Sequence, residues 1–262
     1  MTTQTVRLNH YTQGDPDAPA VLLGGPLGSA LSLWDSPADT LARRYHVVRL
    51  DVRGHGVSPA PPGPYSMSQL AADVVAVADE LELERFGYVG LSLGSGIGLA
   101  LALEHPGRLA SLVLAGAAAR FGDPTTWHER ADLVRSDGLR WLVPTTQERW
   151  FTSEFREAHP EVVADVMETF VETSPTGYAA CCEALATFDA TDRLAEVTTP
   201  TRVVVGDQDP VTPPDAARAL AEGIPGADLV VVAGAAHVVN LARPEEFGAA
   251  VAGHLDRTLS SG

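Results

Sequence analysis

The sequence predicts an α/β fold: a mostly parallel central sheet flanked by helices and carrying a helical cap. Three observations predict it. Short apolar runs alternate with stretches of helical periodicity along most of the chain, one long interval breaks that alternation with helical patterns alone, and a G-x-S-x-G stands between an apolar run and a helical one. With 262 residues, 45% of them hydrophobic and 20% charged, the chain can bury one sizeable core and lacks the composition of a disordered polymer.

Residues 5–9, 20–23, 46–50, 88–91, 111–114, 202–205 and 229–232 read as strands. Most are valine- and leucine-rich with little alternation, the pattern of strands covered on both faces. Helices are expected at 68–83, where apolar residues recur at helical spacing, and at 95–104, directly after the fourth strand. Two more, at 213–221 and 244–259, each begin near a proline that suits a first helical turn. From 121 to 189 no strand pattern stands out, and helical segments near 127–137, 147–155, 160–172 and 176–188 take its place. Helices inserted between two strands sit over one end of a sheet. The expected division is therefore a core of residues 1–120 and 190–262 with a cap at 121–189. Residues 259–262 read as a frayed end.

The net charge of −16 makes nucleic acid and anionic membrane surfaces poor partners. All 18 basic residues are arginine; without lysine there is neither a Walker A loop nor a lysine Schiff base. Gly94-Ser95-Gly96 begins like a dinucleotide fingerprint, but Leu99 stands where the third glycine belongs, and a start at Gly96 fails at Leu101. No histidine pair has the spacing of metal ligands. The expectation is a protein with no cofactor and no metal. Adjacent Cys181 and Cys182 build no disulfide framework, residues 1–11 show no signal pattern, and no apolar run is long enough to span a bilayer. A cytoplasmic location is the resulting expectation; the sequence specifies no oligomeric state.

The stretch Gly90-Leu91-Ser92-Leu93-Gly94 carries the chemistry. A serine on a sharp strand-to-helix turn projects its Oγ from the sheet's end, flanking glycines keep side chains out of the crowded turn, and the helix N-terminus behind it favours a developing negative charge. Such a nucleophile needs a base, and the base an orienting carboxylate, in the chain order serine, acid, histidine. Asp207 and Asp209 follow the strand at 202–205, and His237 follows the one at 229–232. All lie past C-terminal strand ends, the edge where open α/β sheets bind ligands. Asp209, deeper in its loop, is preferred as the acid and Asp207 as a turn-former, so the expected triad is Ser92, Asp209 and His237. An acyl-transfer site also needs two donors for the oxyanion. These are expected to be the backbone N–H groups of Leu93 and, from the loop Gly24-Gly25-Pro26-Leu27-Gly28, of Leu27, since Pro26 has no N–H. His55, within Asp51-Val52-Arg53-Gly54-His55-Gly56, is expected to be structural.

Gly90–Gly94, residues 51–58, Asp209 and His237 together resemble the α/β-hydrolase superfamily over nearly the whole chain. A closer resemblance is to the 3-oxoadipate enol-lactone hydrolases. It rests on Gly28-Ser29 through Leu33-Trp34-Asp35, Glu148-Arg149-Trp150-Phe151-Thr152, the run 178–194 with Phe188-Asp189-Ala190-Thr191-Asp192, and Asp209-Pro210-Val211-Thr212-Pro213-Pro214. Similar enzymes usually carry histidine or asparagine, then serine or glycine, ahead of the oxyanion donor. Here those positions are Gly25 and Pro26, so a side chain that braces the loop is missing there.

The resemblance implies a Ser-His-Asp hydrolase that opens the ring of 3-oxoadipate enol-lactone, in the beta-ketoadipate pathway of aromatic degradation. It implies a substrate carboxylate too, for which Arg149 is the first candidate partner and Arg140 the second, with Trp150 facing the pocket. The other readings are a general carboxylesterase, lactonase or haloperoxidase-like hydrolase with the same triad, and a ligand receptor on this fold.

Overall fold

The structure, a computed structural model, describes residues 5–259. Seven strands make one sheet: β1 (His10–Gln13), β2 (Ala20–Gly24), β3 (His46–Leu50), β4 (Phe86–Leu91), β5 (Leu109–Ala115), β6 (Thr201–Gly206) and β7 (Asp228–Val232). They lie in the order β1-β3-β2-β4-β5-β6-β7. β1 runs antiparallel to β3, and every other pairing is parallel. Between the strands run α1 (Asp35–Leu41), α2 (Met67–Glu80) and α3 (Leu93–Glu104), then α4 (Pro124–Asp137), α5 (Val143–Trp150), α6 (Ser153–Ala158), α7 (Pro160–Glu172) and α8 (Pro175–Thr187). α9 (Pro214–Gly223), α10 (Val239–Ala242) and α11 (Pro244–Leu259) complete the described chain.

β2, β3 and β4 are buried along their whole length, which is why they read as unbroken apolar runs. Successive residues of β4 face opposite sides of the sheet. Gly87 abuts Leu255 and Leu259 of α11, and Tyr88 abuts Gly98 of α3, so helices cover both faces. α2 starts with a reciprocal cap: Ser66 Oγ accepts from the Gln69 N–H, and the Gln69 side chain accepts from the Ser66 N–H. A buried Arg53–Asp73 pair, joined by two hydrogen bonds of 2.7 Å, ties the loop after β3 to this helix.

The first strand differs from expectation. Residues 5–9 are not a strand; the edge strand is His10–Gln13. In the upstream segment side chains replace the sheet's acceptors, with the Val6 N–H donating to Asp73 Oδ1 at 2.8 Å and the Asn9 N–H to Ser58 Oγ at 2.8 Å. The true edge strand is half exposed and has no apolar signature to read. The helix expected at 147–155 is two helices. The chain turns extended at Phe151, with φ −129° and ψ 143°, and Thr152 Oγ1 then caps α6 by accepting from the Phe155 N–H at 3.2 Å. Leu259 still belongs to α11, and the rest of the expected frayed end lies outside the described residues, as do residues 1–4.

Helices α4 to α8 occupy the chain between β5 and β6, and an antiparallel bridge between Arg120 and Asp189 brings the two ends of this insert together. No helix among the described residues is long and apolar enough to cross a membrane.

Candidate active site

Strand order reverses direction between β2 and β4: β3 lies on one side of β2, and β4 on the other. Connections leave the two strands toward opposite sides there, which opens a crevice at their C-terminal ends. The loop after β2 carries Leu27 and the turn after β4 carries Ser92, so adjacent strands deliver both to that crevice.

Ser92 has φ 57° and ψ −112°, a left-handed backbone on a residue other than glycine, and its N–H is held by Ala115 O of β5 at 2.9 Å. The flanking glycines explain why the turn can close. A Cβ on Gly90 would lie 2.1 Å from Gly94 O, and one on Gly94 would lie 2.1 Å from Gly24 O. The serine is partly exposed, while the helix it starts is buried from Leu93 to Ala102.

Asp209 and His237 come from the loops after β6 and β7, paired neighbours in the sheet. His237 Nδ1 donates to Asp209 Oδ2 at 2.8 Å, with both side chains buried. Asp209 Oδ2 also accepts from Thr212 Oγ1 at 2.7 Å, and Oδ1 accepts the N–H groups of Val211 at 2.8 Å and Thr212 at 3.1 Å. Burial pulls this carboxyl upward. The His237 ring, the bond to it and the Thr212 bonds outweigh burial, and the group sits below the usual aspartate range. Asp207 does something else: its Oδ1 accepts the N–H groups of Gly234 at 2.8 Å and Ala235 at 3.3 Å, closing the turn that leads to His237.

Ser92 and His237 line one cavity of about 420 Å³, together with Leu27, Pro26 and Pro210 from the core loops and a wall contributed by the insert. That wall is Phe121, Trp127, Arg130, Leu142, Arg149, Trp150, Phe170 and Tyr178 with their neighbours. Trp150 packs edge-on to Phe170 at 5.9 Å, and Phe170 edge-on to Tyr178 at 5.8 Å. Trp150 O accepts the Val238 N–H at 3.1 Å, a bond that ties the insert to the residue after the histidine.

Arg149 is exposed and lines the cavity; Arg140 is exposed and lies outside its lining. Arg130, which sequence reasoning did not single out, lies over the Trp127 ring at 4.9 Å inside the same wall. Its signal was weak: which face of an inserted helix looks inward depends on how that helix docks. Burial pushes the nearby Tyr178 hydroxyl up, against the bond and charge of Arg130. Among the described residues no three His, Cys, Asp or Glu side chains gather as a metal site.

In the loop after β2, Gly25 O accepts the Gly94 N–H at 3.1 Å, Pro26 O accepts the Ser29 N–H at 3.2 Å, and the Gly28 N–H donates to His55 Nε2 at 2.8 Å. Ser95 and Gly96 donate to Ser92 O at 2.8 and 3.1 Å. Every one of these neighbours is committed; the N–H groups of Leu27 and Leu93 have no protein acceptor among the described residues. Within the loop Ser29 Oγ also donates to Pro26 O at 2.8 Å, and His55 meets the loop from the turn after β3.

Comparison with known proteins agrees with this architecture. The family model for the alpha/beta hydrolase fold matches residues 19–244. The chain is 38% identical, over 96% of its length and 94% of the relative's, to 3-oxoadipate enol-lactonase 2 of Acinetobacter baylyi. The crystal structure of the enol-lactonase from Burkholderia xenovorans LB400 superposes with a TM-score of 0.93 at 36% identity, covering 95% of this chain and 96% of that one. A malate-bound thermophilic esterase from Thermogutta terrifontis superposes with a TM-score of 0.92 at 28% identity, covering 96% and 93%. With its family model spanning most of the sheet and the whole insert, this chain belongs to the alpha/beta hydrolase family.

Proposed function

We propose that this protein is a serine-nucleophile carboxylic ester hydrolase that opens the ring of 3-oxoadipate enol-lactone. The observation that carries the reading is the buried 2.8 Å bond from His237 to Asp209 on the wall of the cavity that also exposes Ser92 on its strained turn. The substrate assignment is supported by relatives of 38% and 36% identity that act on enol-lactones.

In this reading Ser92 Oγ attacks the lactone carbonyl carbon while His237 Nε2 takes its proton and Asp209 steadies the imidazolium. The Leu27 and Leu93 N–H groups receive the oxyanion. Collapse breaks the bond to the ring oxygen. The leaving group is an enolate, better than an alkoxide, and it takes the proton back to become a ketone. Water, deprotonated by His237, then attacks the acyl-enzyme and frees Ser92, so one water is consumed per ring opened. No hydrogen bond joins Ser92 Oγ to His237 in this conformation among the described residues. In this reading that bond forms when substrate binds, since catalytic hydrogen bonds of this kind tighten in the substrate complex.

Such a substrate brings a carboxylate, and among the described residues Arg149 and Arg130 are the arginines on the cavity wall. Trp150, packed edge-on to Phe170, adds apolar surface to the same wall. Side-by-side assay of the enol-lactone and neutral nitrophenyl esters tests the reading. A kcat/KM advantage of about 100-fold or more for the lactone is expected, equal to roughly 2.7 kcal/mol of transition-state discrimination. Equal rates would favour the second reading, a general carboxylesterase, to which the malate-bound esterase is the structural pointer. Purified Ser92→Ala keeping wild-type turnover would end both.

A further inference from the structure

We propose that His55 is a positioning residue for the oxyanion hole: its ring anchors the peptide unit that follows Leu27 and so fixes where the Leu27 N–H points. The inference rests on the serine mechanism proposed above.

Two peptide units flank Leu27, and each is planar. The first joins Pro26 C=O to the Leu27 N–H. Its carbonyl oxygen is held by the Ser29 N–H at 3.2 Å and by Ser29 Oγ at 2.8 Å. In a trans unit the N–H points opposite to the carbonyl, so Leu27 N–H is turned away from Ser29. The second unit joins Leu27 C=O to the Gly28 N–H, and that N–H donates to His55 Nε2 at 2.8 Å. With both planes held, the torsions on either side of Leu27 have no freedom. Gly28 itself has φ 87°, and Phe170 and Tyr178 of the insert close over it: a Cβ there would meet the Phe170 ring at 2.5 Å. Preorganised donors need no reorganisation when charge develops, which is the source of their catalytic value.

His55 can serve as an anchor because it is itself immobile. It is fully buried, and Nδ1 lies 3.2 Å from Arg53 O, an acceptor. With an acceptor at one ring nitrogen and a donor at the other, only the neutral tautomer with hydrogen on Nδ1 satisfies both. Burial favours the same uncharged form, pushing the group down to about 4. The backbone around it is pinned: the Gly54 N–H donates to Pro59 O at 2.9 Å, the Ser58 N–H donates to His55 O at 3.0 Å, and Arg53 is locked to Asp73. On the far side Gly54 abuts Gly177 of α8, backbone to backbone. Ser29 thus holds the peptide unit before Leu27 from within the loop, and His55 holds the one after it from the turn after β3.

The test compares wild type, His55→Phe, His55→Gln and Ser92→Ala in steady-state turnover, thermal melting and binding of phenylboronic acid. That probe bonds to a serine Oγ and presents a tetrahedral oxygen to the oxyanion donors. His55→Phe fills the space but leaves the Gly28 N–H without an acceptor. It should lower kcat about 100-fold and weaken phenylboronic acid in proportion, with KM within about 3-fold of wild type, the pattern of a lost oxyanion contact. His55→Gln offers a carbonyl oxygen to Gly28 and should restore most of both. A histidine that only fills the core would lower the melting temperature and leave the kcat-to-KM split and boronate affinity alone, which overturns the proposal. In the wild-type protein, nitrogen NMR of labelled histidine should show His55 Nε2 bare and Nδ1 protonated. The opposite tautomer refutes the anchor whether or not any variant folds. Equal boronate binding by Ser92→Ala and wild type would instead strike down the serine mechanism, a result separable from any change at residue 55.

Discussion

Replacing Asp209 by asparagine should leave the protein folded and nearly inactive, and the hydrogen bonds around the carboxylate say why. Oδ1 accepts two backbone N–H groups, from Val211 and Thr212. An asparagine must place its carbonyl oxygen there, since turning its NH2 toward them would set donors against donors in a buried site. The NH2 then falls at the Oδ2 position, facing His237 Nδ1 and Thr212 Oγ1. Thr212 can reorient its hydroxyl and accept. His237 can do so only by shedding the Nδ1 hydrogen, which moves the proton to Nε2, the nitrogen that has to take the Ser92 proton. The enzyme then holds its base in the wrong tautomer and has lost the charge that stabilises the imidazolium. A fall in kcat of about 10⁴-fold is expected, roughly 5.5 kcal/mol at 1.36 kcal/mol per tenfold. Because volume and backbone bonds are kept, the melting temperature should change by only a few degrees, about 1 kcal/mol of stability. Initial rates on the enol-lactone, with differential scanning calorimetry of the same samples, measure both. Asp207→Asn is the control: that side chain closes a turn through its Oδ1 and does not reach His237, so activity should stay within about 3-fold. Asp209→Asn retaining a tenth or more of wild-type kcat, or Asp207→Asn losing as much, would refute the assignment.

The other expectations are narrower. Arg130→Met and Arg149→Met should each raise KM for the carboxylate-bearing lactone, by about 30-fold where the arginine holds the carboxylate (~2 kcal/mol for a charge-assisted bond), and leave a neutral ester unchanged; equal shifts for both substrates would remove the carboxylate role. Gly90→Ala should cost ~3 kcal/mol or more, because its Cβ would sit 2.1 Å from Gly94 O, and should lower the melting temperature, whereas Gly107→Ala, with nothing within 4 Å, should be tolerated. His55, held at about 4 in the folded protein by burial, against about 6.5 unfolded, contributes stability that is complete above pH 6.5 and is lost as pH falls toward 4, because only the unfolded chain takes up the proton in that window. That is of order 3 kcal/mol, read as the difference between urea denaturation at pH 7 and pH 4.5; the same difference in His55→Gln should be smaller, and an unchanged one would contradict the assignment.

Much of the fold was legible because its signals are local. The runs at β2 to β6 announce themselves as apolar since both their faces are covered, and the G-x-S-x-G is readable because the turn tolerates nothing larger at Gly90 or Gly94. Where a segment's partner is distant the reading failed. Residues 5–9 look like a strand, yet their backbone is satisfied by Asp73 and Ser58. The break at Phe151 was signalled only by Thr152 and Ser153, capping residues inside an otherwise helical pattern, and the end of α5 there frees Trp150 O for the Val238 N–H. The roles of Arg130 and Tyr178 had only a weak local signal, because an inserted helix shows its working face only after docking.

The sequence by itself determined the succession of strands and helices, the strained serine turn, and the order of serine, acid and histidine, since backbone sterics and side-chain periodicity act over a few residues. Tertiary structure decided which aspartate meets His237, which arginines face the cavity, and that His55 braces the loop of Leu27. Each of those joins groups separated by tens of residues or more, and their meeting depends on strand order and helix docking, which short-range preferences do not encode.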